Sequence, residues 1–164
     1  PLPPGSIAGY LQTELGLPAA QAELCARLSD GRLGYARHLA TDQAAWEQRR
    51  QQIDDLIGLL TKGRVERLAF AAQLTGQAER ATDALRTWQG WWRDVWLCQQ
   101  GAAAQTVNLD RAAVIQEQAR RIPPAQVRDS LQMTMRSAQL LEGHVNARLA
   151  FDVLLLRLPR LDAA

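Results

Sequence analysis

Cysteine and histidine are scarce in this sequence, which contains two of each. Cys25 and Cys98 lie far apart among apolar helical neighbours, so we expect buried free thiols in a reducing compartment rather than a disulfide. His38 and His144 complete no metal-ligand spacing of the C-x-x-C or H-x-x-x-H kind. The sequence therefore predicts no metal site.

Long apolar runs and catalytic signatures are also missing. Apolar runs such as Val153–Leu156 are far shorter than the roughly 20 residues needed to cross a bilayer. The motifs G-x-x-x-x-G-K-[ST], G-x-G-x-x-G, G-x-S-x-G and H-E-x-x-H do not occur. Asp54 and Asp55 are adjacent, and neighbouring side chains on a helix diverge by about 100°, which makes them poor partners in acid–base catalysis. We expect no catalytic residue, no bound cofactor and no enzymatic activity in this sequence.

Charge and composition limit the fold class and the kinds of partner that the sequence suggests. With 19 Lys and Arg against 17 Asp and Glu, the net charge of +2 is too small to indicate a polyanion-binding surface. Alanine, leucine, glutamine and arginine dominate, β-branched residues are sparse, and no segment alternates convincingly between polar and apolar residues. The sequence predicts an all-α fold.

Three short helices are predicted in the first forty residues. Each carries an apolar stripe at helical spacing and ends at a glycine, an Asp-Gly turn or Thr41-Asp42. Helices this short are unstable alone in water, so residues 1–41 should pack together as one module. The stripes comprise Ile7, Tyr10, Leu11 and Leu15, then Leu24, Cys25 and Leu28, then Leu33, Ala36, Leu39 and Ala40.

A longer bundle of about five to six helices is predicted over residues 42–164. A loop is expected over Gly101–Val107, with Asn108 capping the helix that follows it. Further along, Gly143 is expected to end a helix in a left-handed conformation, and Asn146 to cap the last one.

One predicted helix carries four tryptophans on a broad face, which suits core packing or an interface between subunits. A base-stacking surface is disfavoured, because Asp83 and Asp94 offset the nearby Arg86 and Arg93. The closing helix carries a second apolar stripe that must also be covered, by the core or by a partner subunit. These two candidate faces comprise Trp88, Trp91, Trp92 and Trp96, and Leu149, Val153 and Leu156.

Four stretches, in order, resemble the delta-prime subunits of bacterial DNA polymerase III clamp loaders. Ser29–Ala40 looks like the lid of an AAA+ clamp-loader subunit, with a turn at Gly31 and Gly34 leading into the third lid helix. Trp88–Leu97, with Trp-Arg-Asp at its centre, is similar to a Trp-x-Arg-Asp-type helix of that family. Asn108-Leu-Asp110 matches an Asn-x-Asp pattern, and Asn146–Pro159 resembles the closing Asn-x-Arg-Leu segment.

The resemblance implies an AAA+ lid over residues 1–41 and a collar over residues 42–164 that joins clamp-loader subunits in the cytoplasm. Partners would be the other subunits, with the sliding clamp and primer-template DNA reached only through the full assembly, which belongs to the DNA polymerase III holoenzyme. ATP-hydrolysing relatives carry a sensor arginine where Gly34 aligns, although Arg32 or Arg37 could be its equivalent. The Pro-Leu-Pro-Pro opening is expected to follow a missing ATPase domain.

Three alternatives stay open at this stage. The gamma/tau ATPase subunit shares the architecture of the delta-prime subunit. An independent helical adaptor could bind a peptide through the tryptophan face. A ligand-binding helical regulator could hold its ligand in the bundle.

Overall fold

The computed structural model describes residues 1–143 and 146–162. Within them the chain forms nine α-helices and no β-strand, which confirms the predicted all-α class. Two short 3-10 turns, Ala103–Gln105 and Leu109–Arg111, lie between the sixth and seventh helices. The helices are α1 Pro4–Leu15, α2 Ala19–Leu28, α3 Leu33–Thr41, α4 Gln43–Leu59, α5 Arg64–Thr75, α6 Ala78–Gln99, α7 Ala112–Arg121, α8 Pro124–Glu142 and α9 Ala147–Arg157.

Helices α1, α2 and α3 pack on one another around a small core of their own. The turn before α3 depends on Gly31, whose φ of +79° favours glycine and whose added Cβ would lie 2.4 Å from the Pro1 Cβ. The Leu2 N–H donates to the Gly31 carbonyl at 3.0 Å, so the start of the chain lies against this turn. The buried residues of this first core are Ile7, Leu11, Ala22, Cys25, Ala26, Ala36 and Leu39.

Helix α6 lies at the centre of the remaining helices and packs against α4, α5, α7 and α8. Its 22 residues carry a broad apolar face, and the aromatic side chains on that face are large enough to contact several neighbouring helices. Phe70 of α5 stacks on Trp88 with ring centroids 6.4 Å apart, and Phe151 of α9 meets the same indole edge-on at 6.0 Å. These rings join three helices in a second core. The largest fully buried side chains of this second core are Ile53, Leu56, Leu60, Leu85, Trp88, Trp91, Trp92, Ile115 and Phe151.

Helix α4 belongs to both cores. Near its start, Ala45 and Trp46 pack against α1–α3, whereas Ile53 and Leu56 are buried in the second core. Asp42 alone separates α3 from α4, and its side chain caps α4 by accepting from the Ala44 N–H at 2.8 Å. A division into domains at residues 41 and 42 stays a prediction, because packing crosses that point.

The predicted stripe of α9 does not form its core face. Leu149, Val153 and Leu156 are 60%, 40% and 41% exposed. The helix is rotated so that these three residues lie outside the core, whereas Leu155 and Leu158, which widen the same predicted stripe, are buried. A core position is therefore wrong for the three, and their role at a subunit interface stays a prediction. Phe151 is part of the buried set, and the larger apolar area of its ring favours the observed orientation. The buried set is Ala150, Phe151, Leu154, Leu155 and Leu158.

Two predicted helix ends also differ from the structure. Asn108 makes no capping bond, and α7 begins only at Ala112, because the Asn108 side chain is engaged by Arg49 and Asp94. Gly143 ends α8 at a φ of −81°, so the expected left-handed conformation is wrong. The predicted cap of the last helix is confirmed, because the Asn146 Oδ1 accepts from the Leu149 N–H at 3.2 Å.

Candidate subunit interface

Helix α9 lies against α5 on one side and α8 on the other. On the α5 side, Arg148 donates to Asp152 at 2.8 Å and to the Leu68 carbonyl at 3.2 Å. Both bonds are exposed, so each adds little to stability, but the bond to the Leu68 carbonyl crosses to α5 and helps to fix the rotation of α9 about its own axis. The side of α9 that faces neither neighbour is therefore held towards solvent.

The carboxyl end of α9 is fixed by a buried arginine. Arg67 of α5 is 4% exposed, and its guanidinium donates to the carbonyls of Leu59, Leu155, Leu158 and Pro159 at 2.8–2.9 Å. The last carbonyls of a helix have no partner within the helix, so this side chain satisfies the ends of both α4 and α9. Burial lowers the pKa of Arg67, but an arginine stays protonated at neutral pH.

We call the exposed side chains of Leu149, Val153 and Leu156 the α9 ridge. Their spacing of four and three residues places them in one row along the helix. The flanking helices also expose apolar side chains, with Val65 of α5 at 82% and Met135 of α8 at 46%. A single exposed leucine is ordinary, but a row of three on one helix is a feature of interaction surfaces.

The tryptophans of α6 occupy a different environment from the ridge. Trp88, Trp91 and Trp92 are fully buried, and Trp96 is partly buried against the same core. The Trp88 indole N–H donates to the Gln52 carbonyl, and that of Trp91 donates to the Gln118 side chain, both at 2.8 Å. Three of the four rings are therefore not available to a partner in this structure.

The residues that carried the Trp-Arg-Asp and Asn-x-Asp motifs meet in one polar network. Asp94 is fully buried and accepts from the backbone N–H and the side-chain amide of Asn108, both at 2.8 Å. Arg49 of α4 donates to the Asn108 Oδ1 at 2.6 Å and makes a two-bond contact with Asp110 at 2.9 and 3.0 Å. No sequence pattern marks Arg49 for this role. The network fixes the α6–α7 connection in place.

Metal-ligand clusters and membrane-spanning helices can both be checked over the described residues. Among them, no group of three or more His, Cys, Asp or Glu side chains lies close enough together to hold a metal ion, and no helix is long and apolar enough to span a bilayer. His144 lies outside the described residues. Cys25 and Cys98 are free thiols, and burial raises the pKa of both, with a further contribution from Asp94 at Cys98.

An open cleft of about 280 Å³ lies where α3, α4 and α6 meet. Its lining carries both charge signs, and Asp83 there is already engaged by Arg86 at 3.5 Å and by Gln48 at 3.2 Å. The lining charges therefore satisfy one another instead of converging on a ligand. The α9 ridge is the better candidate for a functional surface.

Comparison with known proteins identifies the family to which the chain belongs. The family model described as "DNA polymerase III, delta subunit, C terminal" matches residues 43–160, which correspond to α4 through α9 and the three residues that follow α9. A search of the curated proteins and of the solved structures finds no match to this chain. Because the matched region covers well over half of the chain, the protein belongs to the family of C-terminal regions of DNA polymerase III delta subunits, whose members are components of the clamp loader in DNA replication.

Proposed function

We propose that the chain is the lid and collar of a clamp-loader subunit of the delta-prime type, and that the α9 ridge contacts a neighbouring subunit. The observation that carries this proposal is the exposed apolar row of Leu149, Val153 and Leu156 on the last helix of the family region. Its role is assembly, in the cytoplasm, and the sliding clamp and primer-template DNA are reached only through the whole complex.

The physics of a subunit ring supports this role. Subunits placed head to tail need a contact that persists through the working cycle, and apolar helix faces provide one. A standard interface buries roughly 800 Å² on each partner, which is more than three side chains supply. The ridge is therefore proposed as the centre of the contact, with further area supplied by the helices that flank α9.

The delta-prime type is favoured over gamma/tau by residue 34. Gly34 stands where the resemblance places the sensor arginine of ATP-hydrolysing relatives. The alternative Arg32 donates to the Ser29 carbonyl at 3.1 Å, and its guanidinium lies 5.3 Å from the centre of the Tyr35 ring, so it is held locally. ATP hydrolysis by the full gene product, lost on substitution of Arg32 or Arg37, would favour gamma/tau instead.

The peptide-binding adaptor is the weaker alternative. It requires an accessible tryptophan face, but Trp88, Trp91 and Trp92 are fully buried. If a peptide quenched the fluorescence of these tryptophans without unfolding the protein, the adaptor function would be supported.

Size-exclusion chromatography with the other clamp-loader subunits of the same organism tests the assembly role. The chain should co-elute with a partner subunit at micromolar concentration. Leu149→Lys combined with Val153→Lys should weaken binding by roughly 100-fold or more, since burying each side chain is worth about 1.5–3 kcal/mol. Leu2→Lys is the matched control, because Leu2 is 48% exposed but belongs to the segment next to α1. Equal co-elution of the double variant and the control would overturn the role of the ridge.

A further inference from the structure

The connection between α6 and α7, residues 101–111, is held on one side by a single buried carboxylate. Asp94 accepts from the Val107 N–H at 3.0 Å and from the backbone and side chain of Asn108 at 2.8 Å each. Among the described residues no basic side chain forms an ion pair with Asp94. A buried charge without a countercharge is costly unless several donors surround it, so these backbone bonds hold Asp94 and residues 107–108 in one arrangement.

The same connection is bonded to the first three helices. Arg27 of α2 donates through Nη1 to the carbonyls of Ala104 and Thr106 at 3.0 and 3.1 Å. Its other donors, Nε and Nη2, bind Glu23 on the same helix at 3.0 and 2.8 Å. Glu23 thus orients the guanidinium, and Nη1 is left to reach across to residues 104–106.

A third attachment joins the connection to α4. Arg49 spans from α4 to Asn108 and Asp110, and its guanidinium lies 5.3 Å from the centre of the Trp46 ring. Trp46 packs against the core of α1–α3. The connection is therefore linked to the first core from two directions, by Arg27 directly and by Arg49 beside Trp46.

These bonds cross a place where the two cores could otherwise move relative to each other. The chain passes from α3 to α4 through Asp42 alone, and the open cleft of about 280 Å³ separates part of α3 from α6. Such a cleft leaves space for α1–α3 to tilt.

We propose that residues 101–111 act as a strap that sets the angle of α1–α3 on the α4–α9 bundle, with Asp94 and Arg27 as its two anchors. The consequence for assembly rests on the proposed function. In a clamp-loader subunit, the strap would make α1–α3 and the α4–α9 bundle move together as one rigid body, so that any movement of α1–α3 also displaces the α9 ridge. Asp94 and Arg27 are positioning residues in this arrangement, because neither contacts a ligand.

The angle between the two parts can be measured with spin labels at the exposed residues Gln12 of α1 and Gln132 of α8. The labels are attached to introduced cysteines in a chain carrying Cys25→Ala and Cys98→Ala. Double electron–electron resonance then gives the distribution of distances between the two labels. Arg27→Ala should broaden that distribution. Arg37→Ala is the matched control, since Arg37 is an exposed arginine of the same three-helix module whose side chain makes no hydrogen bond to residues 101–111 among the described residues, and it should leave the distribution narrow.

Hydrogen exchange supplies a readout that needs no labels. In Arg27→Ala, the amides of residues 101–111 and of α2 should exchange roughly tenfold faster, as expected when charge-assisted bonds are lost locally, while those of α8 keep their rates. Asp94→Asn, if its helix content matches the parent, should affect the strap in the same way. Unchanged distances and exchange rates in Arg27→Ala would overturn the proposal.

Because both measurements use the isolated chain, they separate the strap from the proposed interface between subunits. A broadened distribution in a chain that never binds a partner subunit would support the strap and count against the collar role. If the chain binds a partner subunit but Arg27→Ala changes neither the distances nor the exchange rates, the collar role is supported and the strap is rejected.

Discussion

Replacing Arg67 by methionine should destabilise the protein substantially, although no ligand or catalytic step involves this residue. The guanidinium donates to four carbonyls at 2.8–2.9 Å, from Leu59 at the end of α4 and from Leu155, Leu158 and Pro159 at the end of α9. Methionine has a comparable unbranched apolar stem, but it is shorter and has no donor. The variant therefore keeps most of the packing and removes only the bonds.

The expected size follows from two opposing terms. A hydrogen bond that involves a charged group contributes about 1.5–3 kcal/mol, and Arg67 makes four short ones. Removing the guanidinium also removes the cost of keeping a cation 4% exposed, which is several kcal/mol. Unsatisfied carbonyls remain in the variant, so we expect a net loss of about 3 kcal/mol in the free energy of unfolding. For a chain of this size, that loss lowers Tm by about 6–12 °C.

Urea unfolding followed by circular dichroism at equilibrium measures the loss directly. Arg67→Lys should recover only part of the stability, because an ammonium has three donors and lacks the planar geometry of the guanidinium. Arg64→Met on the same helix is the control, since Arg64 is exposed and should change the free energy by no more than about 0.5 kcal/mol. An Arg67→Met protein as stable as the Arg64→Met protein would refute the reasoning.

Three further outcomes test the core, the turn at Gly31 and the thiols. Trp88→Ala should cost about 3–5 kcal/mol in urea unfolding, because the ring is fully buried. Gly31→Ala should lower Tm, since its φ is +79° and a Cβ would approach the N-terminal proline, whereas Gly34→Ala, with nothing within 4 Å of its Cβ, should raise Tm by stabilising α3. Mass spectrometry after iodoacetamide treatment should find Cys98 alkylated before Cys25, because Cys98 is partly exposed whereas Cys25 is fully buried.

The positions of the helices were predictable because residues that begin or end helices lie at the boundaries of the periodic apolar segments. The Pro123-Pro124 pair marks the start of α8, and Asn146 caps α9 as predicted. Neither signal depends on the rest of the fold, since proline lacks an N–H and an asparagine side chain can bind a free one. Local chemistry of this kind decides where a helix begins and ends.

The buried face of α9 could not be read from its sequence, because leucines surround most of the helix. Leu149, Leu154, Leu155 and Leu156 point in several directions, and only the packing partners decide among them. The structure buries Phe151 against Trp88, a contact between residues 63 positions apart in the chain. Periodicity finds amphipathic helices, but it cannot rank two apolar faces of one helix.

The buried arginines were missed for a related reason. Arg67 binds carbonyls up to 92 residues away, and Arg49 binds Asp110 across 61 residues. Within its own helix each arginine has the appearance of an ordinary surface residue, and a sequence pattern records neither burial nor a distant partner. Asn108 was misassigned for the same cause, because Asp94 and Arg49 compete with the local cap.

The family match and the packing divide this chain at different places. The match begins at residue 43, the first residue of α4, whereas the first core extends into α4 through Ala45 and Trp46. Arg27 adds bonds from α2 to residues 104 and 106, well inside the matched region. Both parts therefore contribute to the same buried contacts, and the first turns of α4 cannot reach their observed packing without α1–α3. The three-helix module is therefore a structural support for the matched region.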